Sequence, residues 1–189
     1  MTEDHDGASQ GRCSQRKISE RATVWAALPL SVLLSAHVAA ADEAVAGLVQ
    51  RAAEKNAAFM RGDMMRWSKL ARIAPDFTLM QPFGGPASHG FDASPKRLAE
   101  LSRYFQNGQT KLEVSQTYAS DGLVVLVMIE RQRGEVGGLP AQDWSLRVTE
   151  VYRKDGSDWH LVHRHADPLV ERITLQQLAL LARGSPEEK

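Results

Sequence analysis

From residue 44 to residue 61 the apolar positions Val45, Leu48, Val49, Ala52, Ala53, Phe59 and Met60 recur at helical spacing, while Gln50, Arg51, Glu54 and Lys55 fall elsewhere. That spacing predicts an amphipathic helix. Gly62-Asp63 breaks it, and Asp63 is placed to cap a second, short helix carrying Met64, Met65, Trp67 and Leu70. Pro75-Asp76 ends that helix, and Phe77 to Gln81 reads as a first strand. Residues 82–95 are rich in Pro, Gly, Ser and Ala and predict a loop. Ser94 and Pro95 supply the cap and first position of a helix with Leu98, Leu101, Tyr104 and Phe105, stopping at Asn107-Gly108.

The period then changes to two. Lys111 to Tyr118 puts Leu112, Val114, Gln116 and Tyr118 on one face and Lys111, Glu113, Ser115 and Thr117 on the other. After a turn at Ser120-Asp121-Gly122, Leu123 to Arg131 is almost wholly apolar, which predicts a central strand buried on both faces. Gly134 to Pro140 reads as a flexible crossing loop. Asp143 to Lys154 alternates again, with Trp144, Leu146, Val148, Glu150 and Tyr152 sharing a face. A second turn at Asp155-Gly156 leads into Asp158 to His165, where Trp159, Leu161, His163 and His165 oppose His160, Val162 and Arg164. A strand whose inner face starts apolar and ends in two imidazoles packs a core at one end and lines a polar hollow at the other. Beyond Pro168, Leu175, Leu178, Leu180 and Leu181 predict a last helix before a polar tail, residues 185–189. Helices preceding a strand meander give an α+β class: a curved antiparallel sheet wrapped around N-terminal helices.

Charge narrows the partners. The 23 basic and 23 acidic residues cancel, so nothing favours nucleic acid or a solvating acidic tail. Arg12, Arg16, Lys17 and Arg21 precede an apolar run from Ala22 to Ala41, and Ala39-Ala40-Ala41 stands before Asp42-Glu43. This is the pattern of a secretory signal, residues 1–41. The alternative is a retained anchor, against which stand Pro29, Ser31, Ser35 and His37 inside the run. The single cysteine, Cys13, would leave with the signal. The expected mature domain, 42–184, is then periplasmic or secreted, free of the membrane, and held by its core alone.

Three stretches in order carry a resemblance. They are Asn56-Ala57-Ala58-Phe59 with Gly62-Asp63, Ala74-Pro75-Asp76-Phe77-Thr78-Leu79, and Val148 to Gly156 running into Trp159 to Asp167. Together they resemble the nuclear transport factor 2-like superfamily and, within it, the SnoaL-like domains, over residues 44–168. The resemblance implies a cone-shaped, cystatin-like roll. Relatives include ketosteroid isomerases, polyketide cyclases, dehydratases and protein-association modules, so the fold alone does not choose a function. In the enzymes an acidic residue in the cone serves as base. The implied activity is proton transfer or hydration/dehydration on a carbonyl compound, with no organic cofactor. The alternative is a non-catalytic ligand-binding or protein-association module. The expected partners are a small-molecule ligand and a second copy paired through the sheet.

Glu150, in register with Leu146 and Val148, points inward and needs a partner or a proton there. Across the Asp155-Gly156 turn it falls near His163 and His165, about 6–7 Å apart along their strand. These three are the candidate catalytic set, one imidazole acting near neutral pH. The alternatives are a structural ion pair for Glu150 and hydrogen bonds that hold the sheet's end for the histidines. Gln116, Tyr118 and Tyr152 are further inward polar groups able to hold a ligand oxygen. Trp67, Phe83, Tyr104 and Trp159 either wall the cavity or fill the core. A metal would need a third ligand from Glu150, Asp92 or His89, which spacing does not bring together, so none is expected.

Overall fold

The computed structural model describes residues 30–183, with side chains from residue 41 onward. Most of the predicted signal, including Cys13, and the polar tail lie outside the described residues. Helix α1 (Leu30–Met60) continues without a break through the predicted cleavage point at Ala41. No helix among the described residues is long and apolar enough to cross a membrane. The buried side of α1 carries Leu48, Ala52, Ala58 and Met60, and also Lys55 and Asn56.

Helix α2 (Met64–Ala71) starts where expected, with the Asp63 carboxylate accepting from the Arg66 amide at 3.0 Å. Strand β1 (Ile73–Met80) begins earlier than predicted and takes in Pro75, at a stretch where its pairing is irregular. The two-residue strand β2 (Ser88–His89) lies in the loop. Helix α3 (Pro95–Tyr104) has the predicted Ser94 cap and Pro95 start. It passes straight into β3 (Phe105–Ala119), so Asn107-Gly108 is no helix stop. The pair sits at a break in register between Gln106 and Gln109, with Asn107 at φ 56°. Gly108 is required because a Cβ there would strike the carbonyl oxygen and Cβ of Met60, where β3 crosses the end of α1.

Strand β4 (Leu123–Val136) outruns its prediction, and the expected crossing loop is a hairpin: Gly137-Gly138, both at positive φ, lead into β5 (Leu139–Asp143), which folds back on β4. Strands β6 (Leu146–Asp155) and β7 (Asp158–Pro168) follow, then the short helix α4 (Leu175–Leu181). The sheet order is β2-β1-β7-β6-β4-β3, with β5 on β4. β1 runs parallel to β7, so this curved sheet is mixed rather than wholly antiparallel. Its inner face packs on α1 through Leu48, Ala52, Phe77, Val124, Leu126, Met128, Val148, Tyr152, Leu161 and Ala166. A second cluster, Ala58, Met64, Trp67, Ala71 and Leu101, joins the end of α1 to α2 and α3.

Two one-residue bulges decide what the sheet's faces carry. Opposite β6, Tyr152 pairs with Leu161 but Val151 with His163, so Val162 is extra. Opposite β4, Val114 pairs with Met128 but Gln116 with Val127, so Ser115 is extra. A one-residue insertion moves every later side chain to the other face. The expected alternation therefore holds for Trp159 and Leu161 and reverses beyond: Arg164 and Ala166 turn in, His163 and His165 turn out. Likewise Leu112 and Val114 share the inner face, while Gln116 and Tyr118 lie on the outer one.

Candidate functional site in the cone

Four side chains of alternating charge meet under the curve of the sheet. Lys55 comes from the buried stripe of α1, Glu130 from β4, Glu150 from β6 and Arg164 from β7 after its bulge. Lys55 Nζ donates to Glu150 Oε1 at 2.5 Å and to the Tyr152 hydroxyl at 3.3 Å. The Tyr152 hydroxyl donates to Glu150 Oε2 at 2.6 Å. Arg164 spans both acids: Nη1 reaches Glu150 Oε1 at 2.8 Å and Glu130 Oε1 at 2.9 Å, and Nη2 reaches Glu130 Oε2 at 2.7 Å. Glu150 is fully buried, Glu130 nearly so, and the Arg164 side chain keeps 20% of its surface. Arg51 lies over the Tyr152 ring, 5.3 Å from its centroid, and donates to the Trp159 carbonyl at 2.8 Å.

Burial alone would push the Glu150 carboxyl up, but Lys55, Arg164 and the Tyr152 hydroxyl outweigh it and hold the group at about 2. Burial lowers Lys55 and raises Tyr152, the latter reinforced by the Glu150 charge. Burial opposes the charge on Arg164, yet Glu130 and Glu150 together raise its pKa. The network thus pairs two acidic and two basic side chains at hydrogen-bond distance. Around it, Arg51 Nε, Asn56 Nδ2 and Gln132 Oε1 are buried without a hydrogen-bond partner.

The outer face is arranged differently. Across it run Thr78, His163, Val151, Val125 and Tyr118 in register, and beside them Met80, His165, Thr149, Val127 and Gln116. His163 Nδ1 lies 2.7 Å from the Thr78 hydroxyl, and His165 Nε2 is 3.4 Å from Asp167. A shallow groove of about 270 Å³ is lined by Ser115, Val127, Ile129, Arg147, Thr149, His165 and Asp167.

No protein-family model and no curated relative matches the chain. Solved structures do. The hub homology domain of a CamKII from Chlamydamonas reinhardtii is 18% identical and superposes with a TM-score of 0.54, over 67% of this chain and 99% of that one. A candidate dehydratase of the NTF2-like family from Streptomyces avermitilis is 20% identical with a TM-score of 0.50, over 65% and 96%. A nuclear transport factor 2-like superfamily protein from Salmonella enterica serovar Typhimurium is 14% identical with a TM-score of 0.51, over 70% and 98%. The chain has the nuclear transport factor 2-like fold.

Within this NTF2-like cone the expected site residues are scattered. Glu150 and Tyr152 are inside and in contact, as their register predicts. His163 and His165 are on the opposite face of the sheet from Glu150, because of the Val162 bulge, so the expected Glu–His unit does not assemble. Gln116 and Tyr118 are exposed on the outer face for the matching reason at Ser115. Trp67 belongs to the second cluster, packed on Phe59 and Phe91 rather than on the polar network. Trp159 covers the edge of the main core. Phe83 and Tyr104 are 66% and 46% exposed and wall nothing. His89 and Asp92 lie exposed in the loop, where the Asp92 carboxylate accepts from the Ser94 amide at 2.8 Å. β4 is buried on its inner face, whereas Val125, Val127 and Ile129 on its outer face are half-buried.

The residues that do build the NTF2-like interior, Lys55, Glu130 and Arg164, were not singled out from sequence. Lys55 had a legible signal, since it stands seven residues after Leu48 and three after Ala52 on the buried stripe. Glu130 had one too, in step with Val124, Leu126 and Met128. Arg164 had none, because its direction depends on the bulge.

Proposed function

We propose that this NTF2-like domain is a non-catalytic association module that pairs with a second copy through the outer face of its sheet. The observation that carries the reading is the state of Glu150. A base in a cone needs a carboxylate near its working pH and open to substrate. Glu150 is instead closed in by Lys55, Tyr152 and Arg164 and held at about 2. The outer face supports the positive half of the reading. Val125, Val127, Ile129 and Val151 form an apolar centre, half-buried in the single chain. Around them stand ion pairs: Arg131–Glu113, Arg147–Asp167 and Arg153–Asp76. An apolar centre within a charged rim is the make-up of a protein interface. The resemblance to a hub homology domain points the same way, at the level of fold.

Sedimentation equilibrium of the full chain tests it. A dimer is expected, weakened by about tenfold or more in Val125→Asp and in Val151→Asp, since each buries a charge at the centre. A monomer at every concentration would overturn the reading.

A second reading, a polar small-molecule ligand in the cone, has a specific observation behind it: the unpartnered Arg51 Nε, Asn56 Nδ2 and Gln132 Oε1. Such atoms are costly unless something satisfies them. A carboxylate or amide that raises the melting temperature of the wild type, but not of Asn56→Ala or Gln132→Ala, would favour it. Export remains part of the proposal, resting on the apolar run before Asp42.

A further inference from the structure

Helix α4 buries none of its side chains among the described residues. Leu175, Leu178, Leu180 and Leu181 are 76%, 49%, 61% and 76% exposed, and no residue of the helix is buried. From Leu175 to Leu181 it carries no charged side chain. Its start is nevertheless fixed by a complete capping box: the Thr174 hydroxyl accepts from the Gln177 amide at 3.2 Å, and Gln177 Oε1 accepts from the Thr174 amide at 2.8 Å. A helix this short is not stable alone in water, and one apolar around most of its circumference belongs in a packed setting. Such a helix calls for a surface to pack on.

The groove on the outer sheet face fits that role. β7 delivers the chain to its rim: Asp167 lines the groove, Pro168 ends the strand, and the Leu169 amide is pinned to the Ser145 carbonyl at 2.8 Å. Residues 169–174 then span at most about 20 Å before α4 begins. The floor, Val127 and Ile129, and the sides, Ser115 and Thr149, are uncharged. Arg147, His165 and Asp167 gather at the end where the chain leaves. An uncharged helix thus matches an uncharged floor. Groove and helix are within reach of one another inside one copy and still stand apart, whereas a second copy would bring another sheet face to the helix.

We propose that associated copies exchange α4, each laying Leu175, Leu178 and Leu181 into the groove on the other's sheet. This rests on the self-association reading and refines it: Val125 and Val151, outside the groove, meet the other sheet, and Val127 and Ile129 lie beneath the other copy's α4.

Full-length chains carrying Cys13→Ser with Leu178→Cys, mixed under mild oxidation with chains carrying Cys13→Ser and Thr149→Cys, test it. A disulfide-linked pair of chains is expected to form about tenfold faster than when Met65→Cys replaces Leu178→Cys, in line with a local concentration set by docking. Equal rates would overturn the exchange. So would closure of the disulfide inside one chain when Leu178→Cys and Thr149→Cys are combined. In parallel, Leu178→Asp with Leu181→Asp should weaken the dimer by about tenfold in sedimentation equilibrium while leaving thermal unfolding unchanged at concentrations dilute enough for the monomer, because neither leucine is buried in its own copy. A dimer of unaltered strength would discard the exchange and leave self-association standing. A wild type that is monomeric throughout would discard both.

Discussion

Glu150 and Arg164 illustrate how a buried charge is made tolerable. Each sits where desolvation works against it, and each is surrounded by groups of the opposite sign at hydrogen-bond distance. Removing one partner strands the rest. Glu150→Gln keeps the shape but leaves Lys55 and half of Arg164 unanswered, and should cost about 3–5 kcal/mol in urea denaturation. The pH dependence has a definite sign. The folded pKa of about 2 lies below the ordinary 4.5, so the unfolded chain binds the proton more readily. The stabilisation is complete above about pH 4.5 and is lost as pH falls toward 2. Urea midpoints measured from pH 6 to pH 2 should fall across that window, and the part due to this group should vanish in the Gln variant. At this scale the sequence was partly legible. Glu150 and Tyr152 follow from alternation, which is undisturbed there, whereas Lys55, read as lying off the apolar face of α1, is buried on it.

The strands carry the rest of the difference between expectation and structure. The face of β6 follows from the period-two pattern, whereas β4, read as buried on both faces, is fully buried on one only; the caps at Asp63 and Ser94 are where the residue chemistry puts them. What the pattern does not reveal is an inserted residue. Val162 and Ser115 look like ordinary strand residues, yet each reverses everything after it. Deleting Val162 should remove the bulge and leave a regular strand in the same register, with Leu161, Arg164 and Ala166 still facing the cone and His163 and His165 still facing out. A retained cooperative melt in circular dichroism is the expected result, and loss of the folded state would contradict the placement of the bulge at Val162. The break at Asn107-Gly108 read as a helix stop because Asn-Gly serves both purposes. Gly108→Ala should destabilise by about 1–3 kcal/mol through overpacking against Met60, again read by urea denaturation.

At the scale of the molecule, the cone and its helices were legible, since helices before a strand meander leave few ways to bury both layers. The parallel contact between β1 and β7 was not, because it joins segments about 85 residues apart with no local signal. The consequence for function is an exchange of roles between faces. The interior, expected to hold an acid–base pair, holds a neutralised ionic core, and the outer face holds the histidines and an apolar centre suited to a second copy. The most direct measurement is a carbon-13 NMR titration of the Glu150 carboxyl in the intact protein. The expected result is a carboxylate that stays ionised through pH 4 and titrates near 2. A midpoint at or above 4.5 would make Glu150 an available base and contradict the account.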